Sequence, residues 1–225
     1  MNALQLVNKV LREKLGLGDE LGTLAGAVGF PLVILWAINE IQRELVDVYD
    51  WTRLKKAGTI TLVNGTSLYS LASDCQRVIK DKDNHAFYYQ INSGISTSAA
   101  QITLVDDSIW KDHVALDTTT GKPYLAREFG VDASGYRQVQ FYYAPDTATA
   151  GTIVYYDYIR RVTDLTNNTD ISLFDDHWLI EGAYLKLQVR NGLSSDMDVT
   201  DYINSIVRAT MQDSARLRKL QYRDT

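Results

Sequence analysis

At 225 residues the chain can hold one large domain or two small ones, and its 45% hydrophobic content is that of an ordinary globular protein. Its charges are mixed with a net of −5, which argues against a protein that grips nucleic acid through a basic face but leaves room for a ring that surrounds DNA without holding it. Cys75 is the lone cysteine, so an intrachain disulfide is excluded; it reads as a small part-buried thiol, compatible with a reducing compartment.

Residues 2–15 form a short helix with Leu4, Val7, Leu11 and Leu15 as its apolar stripe, and Gly16 and Gly18 stop it. Its charges stand where a secretory signal would have an apolar core. Residues 16–30 read as a mobile loop. Leu21 to Ile38 lacks charge and nearly reaches bilayer length, but Gly22, Thr23, Gly26, Gly29 and Pro31 fit a Gly-rich loop opening into a core helix better than a membrane span.

That helix is expected over residues 31–50. Ile34, Ile38, Ile41, Leu45 and Val48 recur at spacings of four and three, which stacks them on one face, with Trp51 continuing the stripe. Asn39, Glu40, Arg43, Glu44 and Asp47 fall between them and are expected to face water or a neighbour. Thr59-Ile60-Thr61-Leu62 then alternates as a half-buried strand does, Asn64-Gly65 is the preferred pair for a type I′ turn, and Leu68 to Leu71 returns as the second strand of a hairpin.

From residue 57 to about 162 the period is two. Strands are expected at 58–63, 67–71, 76–80, 86–91, 100–105, 122–127, 136–143 and 152–160, with a short helix or loop over 109–116. Val139, Phe141 and Tyr143 share one strand face, as do Val154, Tyr156 and Tyr158. The connections are short, so the sheet is expected to be antiparallel. After a polar linker, 163–174, Asp175 and Asp176 mark the start of a third major helix running to about Arg190, with Trp178, Gly182, Leu185 and Val189 on one face and Asn191-Gly192 as its end. A last helix is expected from near Asp198 to about Leu220; Ile203, Ile206, Leu217 and Leu220 keep helical spacing, while Thr210 and Asp213 interrupt it. The expected class is therefore α+β: a helical platform from residues 1–56 and 163–225, carrying an inserted antiparallel β-sandwich or barrel-like domain over 57–162.

Catalytic signatures are missing. His85, His113 and His177 are too scattered for a metal motif, and no nucleophile elbow, phosphate-cradling loop or paired-cysteine pattern occurs. Asp106-Asp107 and Glu128 read as turn and strand-end charges more readily than as a glycosidase pair. Tyr142, Tyr143, Tyr155, Tyr156 and Tyr158 suit a β core or a subunit interface more readily than a sugar-binding platform. The C-terminus is the charge-asymmetric piece: Arg208, Arg216, Arg218, Lys219 and Arg223 outweigh Asp213 and Asp224, and Leu217, Leu220 and Tyr222 travel with them. A basic, partly apolar terminal helix of this kind is either a solvated helix end or a segment that docks in a groove on another protein.

The stretch from Ile38 to Asp74 resembles the opening of phage head-to-tail connector proteins, through Asn39, Trp51, Leu54, Gly65, Thr66, Tyr69 and Leu71; Ala72 stands where members often have proline. The Tyr-rich segment from Ala144 to Thr166 resembles the same family's strand and polar loop before the final helices. The likeness covers roughly the middle half of the chain, plus helix order at both ends, and points to the adaptors, also called gatekeepers or tail tubular protein A.

The resemblance implies a non-enzymatic structural virion protein without cofactor, metal or membrane. It is expected to be made in the host cytoplasm and to sit at the neck as a homo-oligomeric ring of about a dozen copies beneath the portal protein, a closed ring built on head-to-tail contacts. Such a ring extends the DNA channel, lets DNA pass without specific binding, and offers a platform to a tail or nozzle protein. The C-terminal helix and tail would reach the portal, with Arg208, Arg216, Leu217, Arg218, Lys219, Leu220, Tyr222 and Arg223 as the expected contact residues. The competing readings are another neck component such as a stopper, a carbohydrate-binding β-sandwich module, and a hydrolase with two convergent carboxylates.

Overall fold

The computed structural model describes residues 1–18, 20–89, 101–114, 120–193 and 196–221. By internal contact the chain divides into two compact units, Met1–Arg53 with Val162–Thr225, and Leu54–Arg161.

In the first unit, α1 (Ala3–Lys9) starts with a reciprocal cap in which Asn2 accepts from the Gln5 amide and Gln5 accepts from the Asn2 amide. The chain continues as a π-helical turn, Val10–Lys14, and leaves the helix where Gly16 takes a positive φ. The loop that follows is tied down. The Asn8 side chain both donates to and accepts from the Leu21 backbone, and Asn168 accepts from the Leu24 amide at 2.7 Å.

Helix α2 (Phe30–Val48) carries Pro31 in its first turn and buries Ile34, Ile38, Ile41 and Leu45 as their spacing predicts. Val48, the expected end of that stripe, is exposed instead. Asn39, expected to face water or a neighbour, is buried, and so is Gln42. The Asn39 amide donates to the Leu165 carbonyl at 3.1 Å and its oxygen accepts from the Leu165 amide at 2.9 Å. Gln42 donates to Asn39 and accepts from the Ser172 hydroxyl at 2.6 Å. Two polar positions therefore lie within the packed face, and each is satisfied by the returning chain.

Helix α4 (Asp176–Arg190) is capped by Asp175, which accepts from the His177 amide. It buries Leu179, Ile180, Gly182, Ala183 and Leu187; of the Trp178–Gly182–Leu185–Val189 face that spacing suggested, Gly182 is buried, Trp178 and Leu185 are half-buried, and Val189 is exposed. Helix α5 (Asp196–Gln221) follows. No helix among the described residues is long and apolar enough to cross a membrane.

The second unit is a nearly closed, barrel-like sheet of eight strands. In chain order these are β1 (Lys55–Thr61), β2 (Leu68–Ser70), β3 (Cys75–Val78), β4 (His85–Tyr89), β5 (Gln101–Leu104), β6 (Leu125–Val131), β7 (Arg137–Tyr142) and β8 (Ile153–Arg160), with α3 (Asp107–Val114) between β5 and β6. Their order in the sheet is β1-β8-β4-β5-β6-β7-β2, with β3 also on β8. The expected strand residues 90, 91 and 100, and the expected helix residues 115 and 116, lie outside the described residues.

Two expectations about pairing are corrected. β1 and β2 do not form a hairpin: β1 pairs with β8 and β2 with β7. The turn between them, closed by Thr66 donating to the Val63 carbonyl at 3.0 Å, has positive φ at Gly65 alone, because Asn84 is the one non-glycine with positive φ among the described residues. A type I′ turn is needed only when the flanking strands pair with each other. One pair, β5 with β6, is parallel, because the excursion through α3 is long enough to bring the chain back to the same edge.

Alternation sets the core. Val154, Tyr156 and Tyr158 of β8, and Val139 and Phe141 of β7, are all buried, and Phe87 stacks edge-on against Phe141 at 5.3 Å. Tyr143 falls beyond the end of β7 and joins Tyr142 at a smaller cluster with Trp110. Gly58 pairs with Tyr156, whose ring lies across it; a Cβ there would come within 2.3 Å of the ring, and the hydroxyl accepts from the Ala72 amide at 2.8 Å. A Gly58→Val protein is expected to lose about 2 kcal/mol or more by displacing that ring, as overpacking does, seen as a lower melting temperature. An unchanged melting temperature would mean that the ring is not held there.

Asp132 and Asp146 tie turns of this unit. Asp132 accepts from the Ser70 hydroxyl and the Tyr136 amide, and Asp146 from the Thr149 hydroxyl and amide; these bonds hold both carboxyls below the ordinary value. A lowered folded pKa stabilises the fold above the unfolded value, near about 3.9 for Asp. That contribution is lost as pH falls below it toward the lower folded values. Stability is therefore expected to drop on acidification from pH about 5 to about 3, and less steeply in Asp132→Asn/Asp146→Asn protein. Equal slopes in both proteins would assign the acid sensitivity elsewhere.

Candidate functional site

Chemistry-bearing groups of the β unit are engaged in holding the structure. Asp106 caps α3 by accepting from the Ser108 hydroxyl and the Ile109 amide, Asp107 pairs with Arg127, and Glu128 pairs with Arg137. This carboxylate trio is occupied by structural partners. Of the five tyrosines singled out in the sequence, Tyr142, Tyr156 and Tyr158 are buried, so these five form no row of exposed rings. Burial pushes the Cys75 thiol up to about 11, in keeping with an inert side chain.

The histidines remain apart, but His85 has neighbours that a comparison among histidines alone misses. Asp81, Asp83 and His85 place ligand atoms within 4.8 Å of one another, a grouping written in the chain as alternate positions. Asp81 already accepts from the amides of Asp83 and His85 and meets the His85 ring at 3.0 Å, so the turn closes on itself without an ion.

The helical unit carries the open surface. Helix α5 docks on α4 through Tyr202. Its hydroxyl donates to the Trp178 carbonyl at 3.3 Å, and its ring fills the notch left by Gly182, where a Cβ would lie 2.4 Å from that oxygen. Burial pushes the Tyr202 hydroxyl well above its ordinary range. Further along, Asp213 accepts from both the amide and the hydroxyl of Thr52, at 3.0 and 2.9 Å. The sequence pattern had marked Asp213 only as a break in the apolar stripe. Thr52 follows Trp51, which donates to the Leu45 carbonyl at 2.6 Å and packs against Phe174 and Trp178.

Between α4 and α5 lies a groove of about 420 Å³, lined by Glu181, Tyr184, Leu185, Gln188 and Asp201 among others. On the far side of α5, Ile203, Val207 and Met211 are exposed at successive helical turns. Of the expected contact residues, Arg208 is exposed on α5. Arg216, Leu217, Arg218, Lys219 and Leu220 fall in its last turns, and Tyr222 and Arg223 lie outside the described residues.

The chain is thus a two-unit α+β protein whose Asp106, Asp107 and Glu128 are structurally engaged and whose last helix presents an exposed apolar stripe. A family model described as SU10 adaptor protein matches residues 1–223. The chain belongs to that family of phage head-to-tail adaptors, and membership makes it a structural bacteriophage protein and a virion component. No curated protein matches the sequence.

Replacing Gly182 with Leu is expected to expel Tyr202 and loosen α5. Amide exchange over residues 199–213 should rise while α2 keeps its protection. Unchanged exchange in α5 would show that the notch does not hold it.

Proposed function

We propose that this adaptor works as a ring of about a dozen copies beneath the portal, a closed head-to-tail assembly. It prolongs the DNA channel and presents a platform to the tail or nozzle protein. The observation that carries this reading is α5: a helix with Ile203, Val207 and Met211 exposed and a basic, leucine-bearing end. Such a helix buries its stripe in a groove of another protein, with arginines at the rim steering the encounter. Arg208, Arg216, Leu217, Arg218, Lys219, Leu220, Tyr222 and Arg223 are its proposed portal contacts, and family membership supports portal and tail components as the partners. The net charge of −5 suits a lumen through which DNA slides, since few phosphates would be neutralised. The role is structural, without catalysis or cofactor.

Full-length protein mixed with the portal protein of the same phage is expected to give ring complexes by negative-stain microscopy. A chain ending at residue 213 should bind portal at least about tenfold more weakly, since a few anchor residues carry most of an interface's energy. Portal binding that survives the truncation would sink the assignment of the C-terminal contacts.

A further inference from the structure

The helical unit has two unlike flanks around α4 and α5. One is the groove, where the Asp201 carboxylate and the buried Oε1 of Gln188 have no hydrogen-bond or ionic partner among the described residues. Tyr184 and Leu185 give it an apolar wall. The other flank follows from the helical repeat of about 100° per residue. It places Lys186 and Arg190 on the side of α4 turned away from Glu181 and Gln188, with Val189 at the edge of that side and Leu193 just past the helix end.

There, Lys186 and Arg190 stand over the half-exposed Trp36 ring at 5.9 and 6.0 Å, and Val189 and Leu193 are exposed at 56% and 72%. Lys186 is paired with Glu44, whereas Arg190 has no carboxylate partner among the described residues. One flank thus lacks a donor and the other lacks an acceptor.

We propose that the α4–α5 groove receives the Trp36–Val189–Arg190 flank of a second copy of this chain. The Arg190 guanidinium reaches Asp201 and the Gln188 oxygen of its neighbour, and Val189 and Leu193 cover Tyr184 and Leu185. A guanidinium has donors enough for both acceptors, and a carboxylate is its preferred planar partner. The two patches are different surfaces of one unit, so the contact is heterologous: each copy gives one flank and receives the other, and repetition makes a ring or a chain. This rests on the ring reading above and names the surfaces that would build it.

The test is disulfide trapping in the full-length chain, with buried Cys75 left in place. Arg190→Cys/Asp201→Cys protein under mild oxidation is expected to give a ladder of dimers, trimers and larger species. Each single variant alone should give none, and a mixture of the two singles should give dimers only. Separately, Arg190→Glu and Asp201→Arg should each weaken self-association about tenfold or more, the size of losing a close interfacial charge pair, and the double reversal should restore much of it.

Native mass spectrometry of the wild-type protein, alone and with portal, separates the two ideas. Rings in the wild type with no ladder in the cysteine pair would overturn this interface and leave the ring reading standing. No assembly and no ladder would overturn both. Trapping of Asp201→Cys by a Lys219→Cys tail instead of by Arg190→Cys would assign the groove to the C-terminal segment and overturn the proposal.

Discussion

The helical unit depends on a buried amide, that of Asn39. This unit is assembled from two stretches of chain separated by more than a hundred residues, and the clamp between Asn39 and both backbone groups of Leu165 is where they lock. Leaving a buried amide without partners costs about 1–3 kcal/mol, so the clamp works in both directions. It rewards the correct return of the chain and penalises any other. Gln42, donating to Asn39 and accepting from Ser172, extends the lock by one helical turn. Arg43 reaches Asp164 from the exposed edge of the same helix. Three consecutive contacts thus set the register in which the segment after β8 crosses α2, and that register delivers Phe174 and Trp178 to Trp51.

From that register the open surface follows. With α4 set against α2, Gly182 lies where Ile41 and Tyr202 converge, and the missing side chain lets α5 approach. The groove is the space left beside this contact, because Tyr202 holds α5 close at one point while Asp201 and Ser205 remain apart from Tyr184 and Gln188. Its polar character is a by-product of positions that α5 does not cover.

Much of the fold is legible in the sequence because it rests on local periodicity. Helix α2 and each strand begin or end within a few residues of the positions that spacing indicates, and the buried faces of β7 and β8 follow from alternation. The likeness of Ile38 to Asp74 and of Ala144 to Thr166 to phage connectors likewise led to the right family. What failed had non-local causes. Asn39 looks like a surface residue because polar side chains usually are, and its partner Leu165 lies 126 positions away. The Asn64-Gly65 pair suggested a hairpin, but strand partners are chosen by the whole sheet, and β8 takes β1. At the candidate site, the exposed Arg208 was readable, whereas the groove depends on Gly182 meeting Tyr202, a proximity that no spacing encodes.

The way α5 is held makes it suited to act as an arm. Its attachments include two at separate points: Tyr202 in its notch, and Asp213 on Thr52. Asp213 lies outside the apolar packing of α1, α2 and α4, whose buried residues are Leu6, Val7, Ile38, Ile41, Leu179 and Ala183 among others, and Tyr202 meets that packing at Gly182 and Ile41. Local opening costs what the local contacts supply, and here these include one half-buried ring and one exposed two-bond cap. A segment attached in this way can exchange its intramolecular contacts for those of a partner without unfolding the body that carries it, and the exposed stripe of Ile203, Val207 and Met211 supplies the apolar area that drives the exchange.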